Sequence, residues 1–174
     1  MRVLLNPGHC IGLDPGAQNK ELGLDEAVIV RAVADMVETY LLKSGYEVKV
    51  VQNNSLAAIT RIANEWGADY FVSIHVNDFV NHNARGTETY CFEYGGKGER
   101  LATCIQCNIL DKVGTLNRGV KEASYYVLRM TKMPAVLVEL GFINNPDDVQ
   151  KLIHKKQAFA EAIYKGIDDF VKDR

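Results

Sequence analysis

Residues 70–76 (YFVSIHV) are apolar apart from one serine and one histidine, and show no polar alternation. A half-exposed strand would alternate, and a buried helix would need a longer run, so this stretch reads as a strand covered on both faces. A strand of that kind requires a sheet with helices packed on either side. That requirement governs the reading of the remaining chain.

The other segments fit it. Residues 2–6 (RVLLN) form a short apolar run stopped by Pro7-Gly8, a second buried strand. Residues 47–51 and 87–93 alternate as strands, 135–139 are a further buried strand, and 125–129 a short one. Apolar residues recur at helical spacing from Leu24 to Lys43, ahead of Gly45. Further helices are expected over 56–66, 98–113 and about 155–171. All four prolines (Pro7, Pro15, Pro134, Pro146) fall at element edges, as a residue without an N–H must. No linker, repeat or low-complexity run divides the chain. The expectation is one domain over residues 1–174, a three-layer α/β sandwich with a mostly parallel sheet of about six strands.

Composition narrows the function classes. With 20 Lys+Arg against 22 Asp+Glu, the formal charge of −2 offers no basic field to recruit nucleic acid or an acidic membrane. No stretch approaches the ~18 apolar residues of a membrane span. Met1 is followed by an apolar run lacking the features of an export signal, so none is expected in this chain. A chain of 174 residues buries enough surface to need no disulfide staples, and Cys10, Cys91, Cys104 and Cys107 are expected to be free. Cys104-x-x-Cys107 falls inside a helix with no second pair, which favours two small apolar thiols over a redox or zinc motif.

In open α/β sheets, ligands gather at the carboxyl ends of the strands. His9 follows the first strand, His75 lies near the end of the central one, and Glu139 ends the last. Two imidazoles and a carboxylate are the donor types of a catalytic zinc site with an open position. A histidine or glutamate at a strand end is also commonly just a satisfied polar residue, and spacing alone leaves both readings open. His82, in a polar loop, and His154, among lysines, read as surface residues. The glycines at 8, 12 and 16 fit neither G-x-G-x-x-G nor a P-loop, so a nucleotide site is weakly supported.

Four segments in register carry a family resemblance: NPGHCIGLDPGA (6–17), Leu24-Asp25-Glu26 with Gly45-Tyr46-Glu47-Val48, RIANEWGADYFVSIHVN (61–77) and YYVLRMTKMPAVLVELGFINNPDD (125–148). The chain resembles the zinc-dependent N-acetylmuramoyl-L-alanine amidases of the Amidase_3 type over nearly its whole length. That resemblance implies that His9, Glu26 and His75 bind Zn2+ and that Glu139 is the catalytic carboxylate. Glu21 is nearer the histidine turn, but its distance to Gly45 does not fit the family's spacing. Cys10 stands where the family has glycine; it is expected to point away, a fourth ligand being the alternative.

The implied substrate is peptidoglycan, cut at the amide between the lactyl group of N-acetylmuramic acid and L-alanine. For that reaction Arg129 is the candidate to stabilise the oxyanion, against a surface salt bridge, and Asn77 to position substrate or support the ligands. A non-catalytic wall-binding or regulatory domain and a different zinc hydrolase are the rival readings. The resemblance places action at the bacterial cell wall, as a phage endolysin released by a holin or as a domain excised from a secreted autolysin. A separate wall-binding module or an activator is the expected partner.

Overall fold

The computed structural model describes residues 1–173. The chain runs β1 (Arg2–Pro7), β2 (Gln18–Asn19), β3 (Leu24–Asp25), α1 (Glu26–Lys43), β4 (Glu47–Val50), α2 (Leu56–Trp66) and β5 (Tyr70–Asn77). It continues β6 (Thr87–Cys91), α3 (Lys97–Val113), β7 (Asn117–Glu122), α4 (Tyr126–Arg129), β8 (Ala135–Phe142), α5 (Pro146–His154) and α6 (Lys156–Lys172). Six strands form one sheet in the order β4-β1-β5-β8-β6-β7, and β2 pairs with β3 in a separate two-stranded ribbon. β4, β1, β5 and β8 are mutually parallel, while β6 runs antiparallel to β8 and β7 parallel to β6.

Alternate residues of the central strands feed two cores, as strand pleating requires. Val3, Leu5, Val72, Ile74, Val136 and Val138 pack with apolar positions of α1, α3 and α6 on one face. Leu4, Phe71, Ala135 and Leu137 pack with Ile59 and Ala63 of α2 and Val127 and Leu128 of α4 on the other. Both faces are covered, which is why residues 70–76 carry no polar alternation.

The helices end where the sequence provides for it. Ser55 caps α2 by accepting the Ala58 N–H at 3.2 Å, and Gly67 closes it in a left-handed conformation with φ 68°. Pro146 opens α5 behind Asn145, whose Oδ1 accepts the N–H groups of Asp147 and Asp148.

The structure corrects several boundaries. Residues 125–129 are not a strand: the Leu128 and Arg129 N–H groups bond the Tyr125 carbonyl, and Tyr126–Arg129 is a single helical turn, α4. The Tyr-Tyr-Val stretch favours a strand, but the place beside β6 is taken by β7. β7 reads NRGVKE, a polar, half-exposed edge strand interrupted by Gly119 at φ 87°, and so lacks a hydrophobic signature. The main sheet has six strands as expected, though not the same six. α1 begins at Glu26 because Leu24 and Asp25 pair with β2. Glu139 lies within β8, which continues to Phe142, and residues 146–154 form a helix of their own.

Candidate metal centre

His75 and Glu139 are direct partners in the parallel pairing of β5 and β8, so their side chains leave the same face of the sheet. It is the face that carries α2 and α4. Glu26 is the first residue of α1, where the helix dipole favours a carboxylate. His9 stands two residues beyond β1 with φ 58°, in the left-handed region that non-glycine residues seldom enter.

These elements bring together the three residues that the resemblance assigns to the metal. One donor atom from each of His9, Glu26 and His75 lies within 4.8 Å of the others. Glu26 is buried at 2% exposure and sits between the imidazoles. Its Oε1 lies 2.9 Å from His75 Nδ1 and its Oε2 lies 3.2 Å from His9 Nε2. The same two oxygens accept the Val76 N–H at 2.9 Å and the Ala17 N–H at 2.8 Å. Burial alone would raise the Glu26 pKa, but the hydrogen bonds from His75 and His9 outweigh it and hold the carboxyl at about 2. The bond to Glu26 raises His9 to about 9, against the lowering effect of burial, with Asp14 adding to the rise. Cys10 is not part of the cluster, and all four cysteines are free.

Glycines make the cluster possible. A Cβ on Gly8 would fall 2.3 Å from His75 Cε1, and one on Gly16 would fall 2.5 Å from both Glu26 Oε2 and His9 Cδ2. Gly8→Ala is therefore expected to displace the His75 ring and weaken metal binding by ~10-fold or more. Metal titration checks this, and unchanged affinity would mean that the ring yields freely.

Glu139 is the chemically unusual residue. Its Oε2 is buried and has no hydrogen-bond partner among the described residues. Burial, and then the charges of Glu26 and Glu88, push its pKa up to about 8. Glu88, its partner across β6 and β8, is buried too but well satisfied. Asn77 and Tyr90 donate to Glu88 Oε1 at 3.1 and 2.8 Å, while Arg118 and Lys121 both reach Oε2. Burial opposes ionisation of Glu88, yet the bonds from Lys121, Arg118 and Tyr90 hold its pKa below the ordinary value.

A cavity of about 420 Å³ borders the centre, lined by His9, His75 and Glu139 together with Asn53, Asn54, Leu56, Tyr125 and Tyr126. Arg129 lines a different cavity, donates to Ser124 Oγ at 3.4 Å and lies over the Tyr126 ring at 6.0 Å. Asn77 contacts Glu88 and is absent from the cavity wall. The structure thus gathers His9, Glu26, His75 and Glu139, and leaves Arg129 and Asn77 outside the cleft. His82 and His154 are exposed, as expected. Sequence reasoning missed Glu88, although strand alternation alone puts it on the same face as Tyr90.

The donor set suits a divalent ion: two imidazole nitrogens and a carboxylate oxygen within reach of one another, beside a carboxylate oxygen with no partner among the described residues. The cluster thus lies at the carboxyl edge of an α/β sheet, where domains of this class gather their ligands. Residues 3–169 match the N-acetylmuramoyl-L-alanine amidase family, and the chain belongs to that family. It is 40% identical over 177 residues to the uncharacterized protein YqiI of Bacillus subtilis, covering 97% of this chain and 84% of that protein. It is 37% identical over 175 residues to the N-acetylmuramoyl-L-alanine amidase CwlM of Bacillus licheniformis, covering 95% of this chain but 65% of the relative. The solved N-acetylmuramoyl-L-alanine amidase AmiC2 of Nostoc punctiforme superposes with a TM-score of 0.92 at 30% identity, covering 99% of this chain and 97% of that one.

Proposed function

We propose that this chain is a zinc-dependent peptidoglycan hydrolase that cleaves the amide between the lactyl group of N-acetylmuramic acid and L-alanine. The observation that carries the reading is the buried, unpartnered Glu139 Oε2 beside the cluster of His9, Glu26 and His75. In this reading those three residues hold the ion and Glu139 is the general base and acid. Bound zinc supplies a Lewis acid at the scissile carbonyl and acidifies water.

The chain's own residues do the rest. The cleft orients the amide, and Glu139 takes a proton from the attacking water and returns it to the departing nitrogen. Water is added across the C–N bond, leaving a lactyl carboxylate and a free alanine amine. Glu139 must be ionised to begin, and a dication close by lowers the pKa that burial has raised. Delivery to the wall, in an endolysin or an autolysin setting, falls to a separate wall-binding module or activator.

The test is digestion of purified sacculi and defined muropeptides by the zinc-loaded protein, with the fragments resolved by mass spectrometry. The expected products are stem peptides with a free N-terminal alanine and glycans with an intact lactyl carboxylate. Release of C-terminal D-alanine or of acetate would point instead to a carboxypeptidase or a deacetylase. Absence of new amino groups would favour a non-catalytic wall-binding domain.

A further inference from the structure

The two histidines of the centre are held in different ways. His75 is fixed by the register of β5 between β1 and β8. His9 lies beyond the end of β1, on a loop and in a left-handed conformation, so the sheet does not set the direction of its ring. The constraint comes from the five residues that follow. Cys10 and Asp14 exchange backbone hydrogen bonds, at 3.0 Å from the Cys10 N–H and 2.8 Å from the Asp14 N–H, and the Leu13 N–H also returns to the Cys10 carbonyl. This closed turn brings the Asp14 carboxylate back against the imidazole. Asp14 Oδ2 lies 2.7 Å from His9 Nδ1, and Oδ1 accepts the Gly16 N–H at 3.1 Å.

We propose that Asp14 is a positioning residue for the metal centre, fixing both the ring orientation and the tautomer of His9. The proposal rests on the reading that His9, Glu26 and His75 hold the ion. In the metal-free protein both ring nitrogens face carboxylates, Nδ1 Asp14 and Nε2 Glu26; with an ion on Nε2 the one remaining ring proton sits on Nδ1, where Asp14 accepts it. Nε2 faces Glu26 and so the cluster, the direction in which a metal ligand must point. With both oxygens engaged, Asp14 cannot swing away without giving up a bond to the loop that carries the ligand. Among the described residues His75 has no comparable carboxylate outside the cluster; its Nδ1 faces Glu26 itself.

A purely structural role predicts a different outcome. The Asp14 side chain is 46% exposed, and an ion pair so open to water contributes little to folding. Loss of Asp14 should therefore weaken metal binding while leaving the metal-free fold intact.

The experiment measures zinc affinity by competition with a chromophoric chelator for the wild type, Asp14→Ala and Asp14→Asn, with thermal melts of the metal-free proteins alongside. Asp14→Ala is expected to bind zinc ~10–100-fold more weakly at an unchanged melting temperature. Asp14→Asn, which keeps an acceptor but not the charge, is expected between it and the wild type, and it keeps the test usable should the alanine variant fold poorly. If the wild type binds zinc and both variants match it, the inference is overturned and the metal reading stands. If the folded wild type binds none, the metal reading falls and this inference with it.

Discussion

Glu139→Gln is expected to keep metal at the wild-type stoichiometry and to lose ~10²–10⁴-fold in turnover. That is the span contributed by a positioned proton-transfer group. The substitution is nearly isosteric and leaves the three donors of the cluster in place. Only the capacity to take and return a proton is removed. Wild-type turnover by this variant would exclude Glu139 from the chemistry, and loss of metal would show that it acts as a ligand instead.

The same variant carries a pH signature in the metal-free protein. Folding raises the Glu139 pKa from its ordinary 4.5 to about 8, so the folded state favours the neutral carboxyl. Its contribution to stability is full below about pH 4.5 and is lost as pH rises through about 8. Glutamine cannot ionise and suffers no such loss. The metal-free wild type should therefore fall behind Glu139→Gln between pH 5 and pH 8, by on the order of 2–4 kcal/mol, because the residue borders the cleft and burial is incomplete. Thermal melts in chelator at the two pH values check it; a constant gap between the proteins would mean that the carboxyl is not held neutral.

The second large effect belongs to Glu26. Its carboxylate faces both imidazoles and accepts two backbone N–H groups from a site with 2% exposure. Glu26→Ala is expected to abolish stoichiometric metal binding and to destabilise the metal-free fold by ~3–5 kcal/mol, since it strands buried partners. His75→Ala should also lose the metal, with a smaller effect on stability, because among the described residues the half-buried ring hydrogen-bonds Glu26 alone. Elemental analysis and denaturant melts separate the two. Full zinc occupancy in either variant would remove that residue from the ligand set.

The legible part of this protein followed from the sheet. A near-continuous apolar strand implies two covered faces, and covered parallel strands deliver their ligands at one edge, so His9, His75 and Glu139 could be picked out from position alone. Glu26 could not: a glutamate at a helix start is commonplace, and only the family resemblance singled it out. Residues 125–129 have the composition of a strand, whereas their backbone closes into a turn and β7 takes the sheet position. β7 itself was illegible because its residues are polar and half exposed. Asp14 depends on a five-residue loop closing on itself, a contact that no periodicity announces.

β7 forms one margin of the sheet, and a margin strand is the place where another chain can add by strand pairing. Proteins blunt such margins with charged residues, inward-pointing ones included. Arg118 and Lys121 meet that description, and both end on Glu88, the neighbour of Glu139. One pair of cations thus sits on the sheet margin and balances the charge behind the candidate base. Neutral substitution of Lys121 would therefore change the charge of the sheet margin and the charge behind the candidate base in a single step.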